Sequence, residues 1–174
     1  MDHRMTLKKL TRMALLTAVA LIIFMVEAQI PAPVPIPGVK LGLANIVTVY
    51  AMFALSPGQT LAILLCRVFL GSVFSGQPAT LFYSLGGGLL CWLVMLLLRP
   101  VLTKKQIWVA GALGAIAHNL GQILVAIALT RTPALIVYLP VLTLSGVLTG
   151  AFTGMAAQAL VGRLERIGPR ARRE

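Results

Sequence analysis

The chain has 174 residues, of which 59% are hydrophobic and only 11% are charged. Soluble domains carry about 25% charged residues, so this composition excludes an ordinary soluble globule and indicates an integral membrane protein. The formal net charge of +11 does not indicate nucleic-acid binding. The basic residues lie at the ends of apolar runs, where they set topology and contact anionic lipid headgroups.

Six apolar segments are candidates for membrane-crossing helices, since a core of ~30 Å needs about 20 residues, or somewhat fewer in a buried helix. The pattern predicts an all-α polytopic bundle of six transmembrane helices within one integral membrane domain, residues 1–174, ending in a basic tail at 163–174. The second and third segments are short and joined by "SPG", so one bent or re-entrant element is the alternative. The predicted helices cover residues 10–29, 41–55, 59–74, 79–98, 106–130 and 134–162.

The distribution of basic residues favours six crossings over five. With six, the Lys and Arg residues fall on one side of the membrane, apart from Lys40, Arg67 and Arg131. By the positive-inside rule, we expect both termini in the cytoplasm of a bacterial cell and the chain in the cytoplasmic membrane. The proline-rich connection in "VEAQIPAPVPIPGVKLGLANI", residues 26–46, then faces outward.

Polar side chains inside the apolar body are expensive and are therefore candidate site residues, with interhelical hydrogen bonding as the competing explanation. Counting 1.5 Å per residue puts polar groups from five helices in the outer half of the membrane. This predicts a ligand cavity beneath the proline-rich loop, although interfacial anchoring explains the tyrosines nearly as well. The candidate substrate-binding residues are Glu27, Lys40, Asn45, Arg67, Tyr83, His118, Asn119 and Gln122.

Two charged residues stand out among these candidates. Glu27 is the only acidic residue in the apolar body, because Asp2, Glu165 and Glu174 lie near the termini. The depth count puts Arg67 ~15 Å below Glu27, beyond the reach of an ion pair. Structural and ligand-binding roles for Arg67 both stay open.

The sequence contains few residues that could carry out catalysis. No nucleophile and base pair or paired carboxylates are evident beside His118, and Cys66 and Cys91 lack the spacing of a metal site. We therefore expect no catalytic residues, no metal and no cofactor bound by this chain.

Small residues recur every fourth position on two helices. On the last helix they are Gly146, Gly150 and Gly154, which predict a close-packing face. On the first helix they are Ala14 and Ala18, a pattern that packing within the chain would also explain.

Four motifs together give the sequence a family resemblance. They are residues 26–46 quoted above, "RVFLGSVFSG" at 67–76, "FYSLGGGL" at 82–89 and "AHNLGQI" at 117–123. From the first helix to Gly162, the chain resembles the Gx transporters, historically labelled heptaprenyl diphosphate synthase component I. That family is in turn similar to the substrate-binding S components of energy-coupling factor (ECF) transporters.

The resemblance implies a six-helix protein that captures a small organic micronutrient or precursor outside the cell. It implies a transmembrane coupling subunit and two ATPase subunits as partners, with ATP used by the latter. The matching AxxxA motif makes Ala14 and Ala18 the expected docking residues. The alternative is a non-catalytic membrane accessory to isoprenoid or quinone biosynthesis. Metal-dependent prenyl diphosphate chemistry itself fits poorly, since the only aspartate is Asp2.

Overall fold

The regular elements are all helical in the part of the chain that the structure, a computed structural model, describes: residues 7–30, 40, 42–76 and 78–167. Short 3-10 turns at Lys104–Gln106 and Pro133–Tyr138 precede the last two helices. The helices are α1 (Leu7–Glu27), α2 (Asn45–Ala54), α3 (Pro57–Ser75), α4 (Pro78–Leu98), α5 (Ile107–Thr130) and α6 (Leu139–Ile167).

Five of these helices are long and apolar enough to cross a membrane, and α2 is not. The 10 residues of α2 extend only about 15 Å, half of a hydrocarbon core of ~30 Å. All six predicted segments are therefore helical, but only five of these helices are long enough to cross a membrane. The chain fits a multi-pass membrane protein in which one helix penetrates only partway.

Several helix boundaries differ from the sequence prediction. α2 begins at Asn45 instead of residue 41, because the backbone at Gly42 is left-handed (φ 84°) and does not continue a helix. α6 begins at Leu139, since the preceding apolar residues form a 3-10 turn that starts with Pro133. It continues to Ile167, so the predicted tail begins inside the helix, and residues 168–174 lie outside the described part.

The turn between α2 and α3 is fixed from two sides. Ser56 and Gln59 form a reciprocal capping box at the start of α3, with Pro57 in the first helical turn. From α4, the Arg99 guanidinium donates to the Leu55 carbonyl (3.2 Å), and the Trp92 indole donates to the Pro57 carbonyl (3.2 Å). These bonds anchor the end of α2 that is opposite Asn45.

α5 is the most buried of the long helices and packs between α4 and α6. The predicted small-residue face of α6 meets it directly. A Cβ on Gly154 would lie 2.6 Å from the Trp108 Cα, and one on Gly150 would lie 2.5 Å from the Gly111 carbonyl oxygen. The face therefore brings two backbones of the same chain together, as small residues do in membrane helix pairs.

Replacing Gly154 with Ala is expected to destabilise the protein by about 1–3 kcal/mol, because the new methyl group would overlap the backbone of α5. Thermal unfolding in detergent measures this as a lower Tm. Gly162→Ala is the matched control, since a Cβ there meets nothing within 4 Å. Equal Tm values for the two variants would contradict the close packing of α5 and α6.

Candidate functional site

The Glu27 carboxylate binds backbone amides that lead into α2. Glu27 lies at the end of α1 and is only 3% exposed. Its carboxylate accepts hydrogen bonds from the Gly42 N–H and, at 3.3 Å, from the Ala44 N–H. A carboxylate that accepts two backbone amides at the start of a helix is stabilised by those bonds and by the helix dipole.

The first turn of α2 closes on the same short segment. The amides of Asn45, Ile46 and Val47 donate to the carbonyls of Gly42, Leu43 and Ala44, respectively. Because Ala44 and Asn45 are buried at the start of α2, the first amides of this helix cannot rely on water. Glu27 and residues 42–44 supply the acceptors instead.

Arg67 on α3 reaches the same position. Its guanidinium donates to the Asn45 Oδ1 (3.2 Å), and both side chains are buried. The predicted offset of ~15 Å between Arg67 and Glu27 is too large, because both residues bond to the stretch from Gly42 to Asn45, although no ion pair joins the two side chains.

The error has a simple geometric cause. The depth count treated α2 as a full crossing that begins near the outer surface, which put Asn45 close to the level of Glu27. In the structure α2 is half as long, so Asn45 lies about 15 Å from the turn at Ser56. Arg67 lies about 15 Å from the same turn along α3, which brings the two side chains to one level.

Lys40 supplies a second cation at this site. Its Nζ lies 3.6 Å from the centroid of the Phe24 ring, a cation–π contact. Partial burial lowers the pKa of Lys40, the nearby Glu27 carboxylate opposes that shift, and Arg67 adds to it. Phe24 is held against α3, because Gly71 leaves the space that its ring fills.

His118 on α5 forms another wall of the site. A Cβ on Gly42 would lie 2.9 Å from the Asn45 Nδ2 and 3.2 Å from the His118 Cδ2. On the other side, a Cβ on Gly87 would lie 2.9 Å from the His118 ring. The imidazole is therefore held between the backbone of α4 and the entry to α2.

Buried polar atoms without a hydrogen-bond partner occur on four of the described helices: Asn45 Nδ2, Arg67 Nε, Thr80 Oγ1, Asn119 Oδ1 and Gln122 Oε1. Two of these atoms, Asn45 Nδ2 and Arg67 Nε, belong to side chains that bond to each other at this site. Because buried polar groups in native proteins nearly always have a partner, these two donors are available to an additional group.

The remaining sequence candidates, Gln122, Asn119 and Tyr83, lie in three different surroundings. Gln122 is buried on the face of α5 that also carries His118. Asn119 instead ties α5 to α6, since its Nδ2 donates to the Leu142 carbonyl (2.6 Å). Tyr83 packs in a separate apolar cluster with Ile123, Ala126 and Leu142, and Tyr138 lies at its edge.

The structure thus brings Glu27, Lys40, Asn45, Arg67 and His118 together. Sequence reasoning missed the roles of Phe24 and of the backbone amides of Gly42 and Ala44. The glycine in "GLAN" was the available signal, because glycine often marks a left-handed backbone or a close approach. The predicted proline-rich rim, residues 31–39, lies outside the described residues.

Comparison with known proteins gives one match. The family described as heptaprenyl diphosphate synthase component I matches residues 16–160. This span includes all the helices in most of their length and each of the clustered side chains. No curated protein and no solved structure matches the chain significantly.

Gly42→Ala is expected to destabilise the protein more than Gly76→Ala. Both glycines have a left-handed backbone, with φ of 84° and 63°, so both variants carry a similar backbone penalty of about 1–2 kcal/mol. Only the Gly42 variant also forces a methyl group against Asn45 and His118, since nothing lies within 4 Å of a Cβ on Gly76. The additional cost is about 1–3 kcal/mol.

Thermal unfolding of the two variants and the wild type in the same detergent measures this difference. Similar Tm losses in both variants would mean that the contacts around Gly42 add nothing beyond the backbone conformation.

Proposed function

Because the chain belongs to the family of heptaprenyl diphosphate synthase component I, and because its long helices fit a membrane protein, we propose that it is the S component of an ECF-type uptake transporter. In this role it captures a small organic micronutrient or precursor on the outer face of the cytoplasmic membrane. The observation that carries the proposal is the buried polar cluster at the start of α2.

The unpaired atoms of the cluster support capture over simple structural bonding. In a structural network, side chains satisfy one another, and each buried unpaired group costs about 1–3 kcal/mol. Here Asn45 and Arg67 bond to each other, but each keeps a polar atom without a partner among the described residues. A bound molecule with complementary groups would recover that cost as binding free energy.

The half-length helix supports the same role. Irregular backbone at membrane depth is tolerated where it is buried in protein or lines a cavity, and broken or short helices commonly border the substrate sites of transporters. The segment before α2 has this character, with left-handed Gly42 and amides bound by Glu27.

α1 offers a face to the proposed coupling subunit. Only Ala20, Phe24 and Glu27 are buried on this helix, whereas Ala14 and Ala18 are exposed. Exposed small residues one helical turn apart allow another helix to approach closely. The proposed partners are a transmembrane coupling subunit and two ATPase subunits, which use the ATP.

A second candidate function follows from the description of the family. A component of heptaprenyl diphosphate synthesis would be a non-catalytic membrane accessory that binds a soluble prenyltransferase. The family description favours this accessory role, but the role does not account for the buried polar atoms that lack partners among the described residues.

Purification of the full chain from its native membrane in mild detergent tests the two functions directly. We expect ATPase subunits and a coupling subunit to co-purify, together with a small molecule that native mass spectrometry detects on the chain. Recovery of a soluble prenyltransferase without ATPases would favour the accessory role and contradict the transporter proposal.

Ala14→Arg is expected to reduce the recovered coupling subunit at least tenfold, because a long charged side chain prevents close helix approach. Ala159→Arg is the matched control: Ala159 is also exposed and lies about two turns from the end of α6, as Ala14 lies about two turns from the start of α1. The ratio of coupling subunit to chain, measured at equal membrane expression, gives the effect. Equal losses in both variants would move the docking face away from α1.

A further inference from the structure

The charges around the start of α2 do not balance. Arg67 is 3% exposed and Glu27 is 3% exposed, and Lys40 lies half-buried beside them with its Nζ over Phe24. Two cations therefore face one carboxylate. Buried charges in proteins are normally paired, because an uncompensated one carries a large desolvation penalty.

Glu27 is already engaged by other groups. One carboxylate oxygen accepts from the Gly42 amide and the other from the Ala44 amide. Arg67 bonds instead to the neutral Asn45 Oδ1, and its Nε has no partner among the described residues. Glu27 thus stabilises the entry to α2 more directly than it neutralises the guanidinium.

Glu27 is the only acidic residue whose side chain the structure describes. The other acidic residues are Asp2, before α1, and Glu165 and Glu174, near or beyond the end of α6. The residues between Ile30 and Lys40 read "PAPVPIPGV" and contain no ionisable side chain. Within the described residues, a further counterion for Arg67 besides Glu27 would have to come from another molecule.

We propose that the molecule captured at this site presents an oxyanion, a carboxylate or a phosphate, to the Arg67 Nε and the Asn45 Nδ2. Both atoms are donors on buried side chains, and both lack partners among the described residues. Arginine is suited to this role, because its planar guanidinium binds such oxygens in a fixed geometry. Lys40 adds a second positive charge. The inference rests on the proposed function for the capture of a small molecule, and it adds the class of that molecule.

The test uses purified, detergent-solubilised full-length chain and simple anions as probes. Sodium acetate and sodium phosphate are each titrated against sodium chloride at matched ionic strength, and the Tm is followed. Arg67→Met removes the charge but keeps an unbranched apolar side chain. Arg131→Gln is the control, because it removes a cation that is fully on the surface.

The wild type and Arg131→Gln are expected to show a saturable rise in Tm with acetate or phosphate. Arg67→Met is expected to lose that rise. Its Tm in chloride alone is set by two opposing effects, the removal of a buried charge and the loss of the bond to Asn45. Phosphate also stabilises proteins through exclusion from their surfaces, and the non-saturable response of Arg67→Met measures that contribution.

Two results would overturn the inference. One is the absence of a saturable response in the wild type for both anions. The other is an unchanged response in Arg67→Met, together with a Tm far below that of the wild type in chloride, which would make the arginine a structural residue satisfied within the chain.

A lipid phosphate is distinguished from a soluble anion in nanodiscs. Discs of phosphatidylcholine alone are compared with discs that also contain phosphatidylglycerol, without added anion. An Arg67-dependent rise in Tm with phosphatidylglycerol would support the oxyanion site but assign it to lipid. If ATPases co-purify but no anion raises the Tm in an Arg67-dependent way, only this inference is overturned. If an anion raises the Tm in that way but no ATPases co-purify, only the transporter assignment is overturned.

Discussion

The fold around the site depends on how a helix begins in the middle of an apolar bundle. α2 has only ten residues, so its first amides have no water at hand and must be bound by the protein. The Glu27 carboxylate binds the amides of Gly42 and Ala44, and the carbonyls of residues 42–44 bind the next three. One acidic side chain thereby holds the segment that leads into the short helix.

This use of Glu27 determines what the neighbouring cations can do. The carboxylate reduces the local positive potential, but its hydrogen bonds go to the amides of Gly42 and Ala44 and not to the Arg67 guanidinium. Arg67 turns to the Asn45 amide oxygen and keeps an unpaired Nε. The contacts at the start of α2 therefore also leave the Arg67 guanidinium with an unpaired donor.

The sequence predicts the long helices well and the site geometry only in part. Apolar runs between turns located the five long helices within a few residues, and the glycine spacing of α6 predicted a close face, which α5 covers. The start of α2 could not be predicted, because "LGLA" is as apolar as the helix that follows it. The amide of left-handed Gly42 bonds to Glu27 on a different helix, a contact that the local sequence does not reveal.

The same limitation explains the misplaced Arg67. A depth count assumes that each apolar segment spans the membrane along its normal, and a helix that starts halfway breaks that assumption. Membership in the cluster could still be predicted for Glu27, Lys40, Asn45 and His118, because buried polar residues are rare in such a composition. Their mutual contacts could not be predicted, since these depend on tertiary packing of α1, α3 and α5 around the short helix.

α1 carries both the proposed docking face and one residue of the candidate binding site. Ala14 and Ala18 are exposed toward one end of this helix, and Glu27 binds the entry to α2 at the other end. Phe24 also packs against Gly71 of α3 and carries the contact with Lys40. A shift of α1 relative to α3 would therefore displace both the carboxylate and the ring under Lys40.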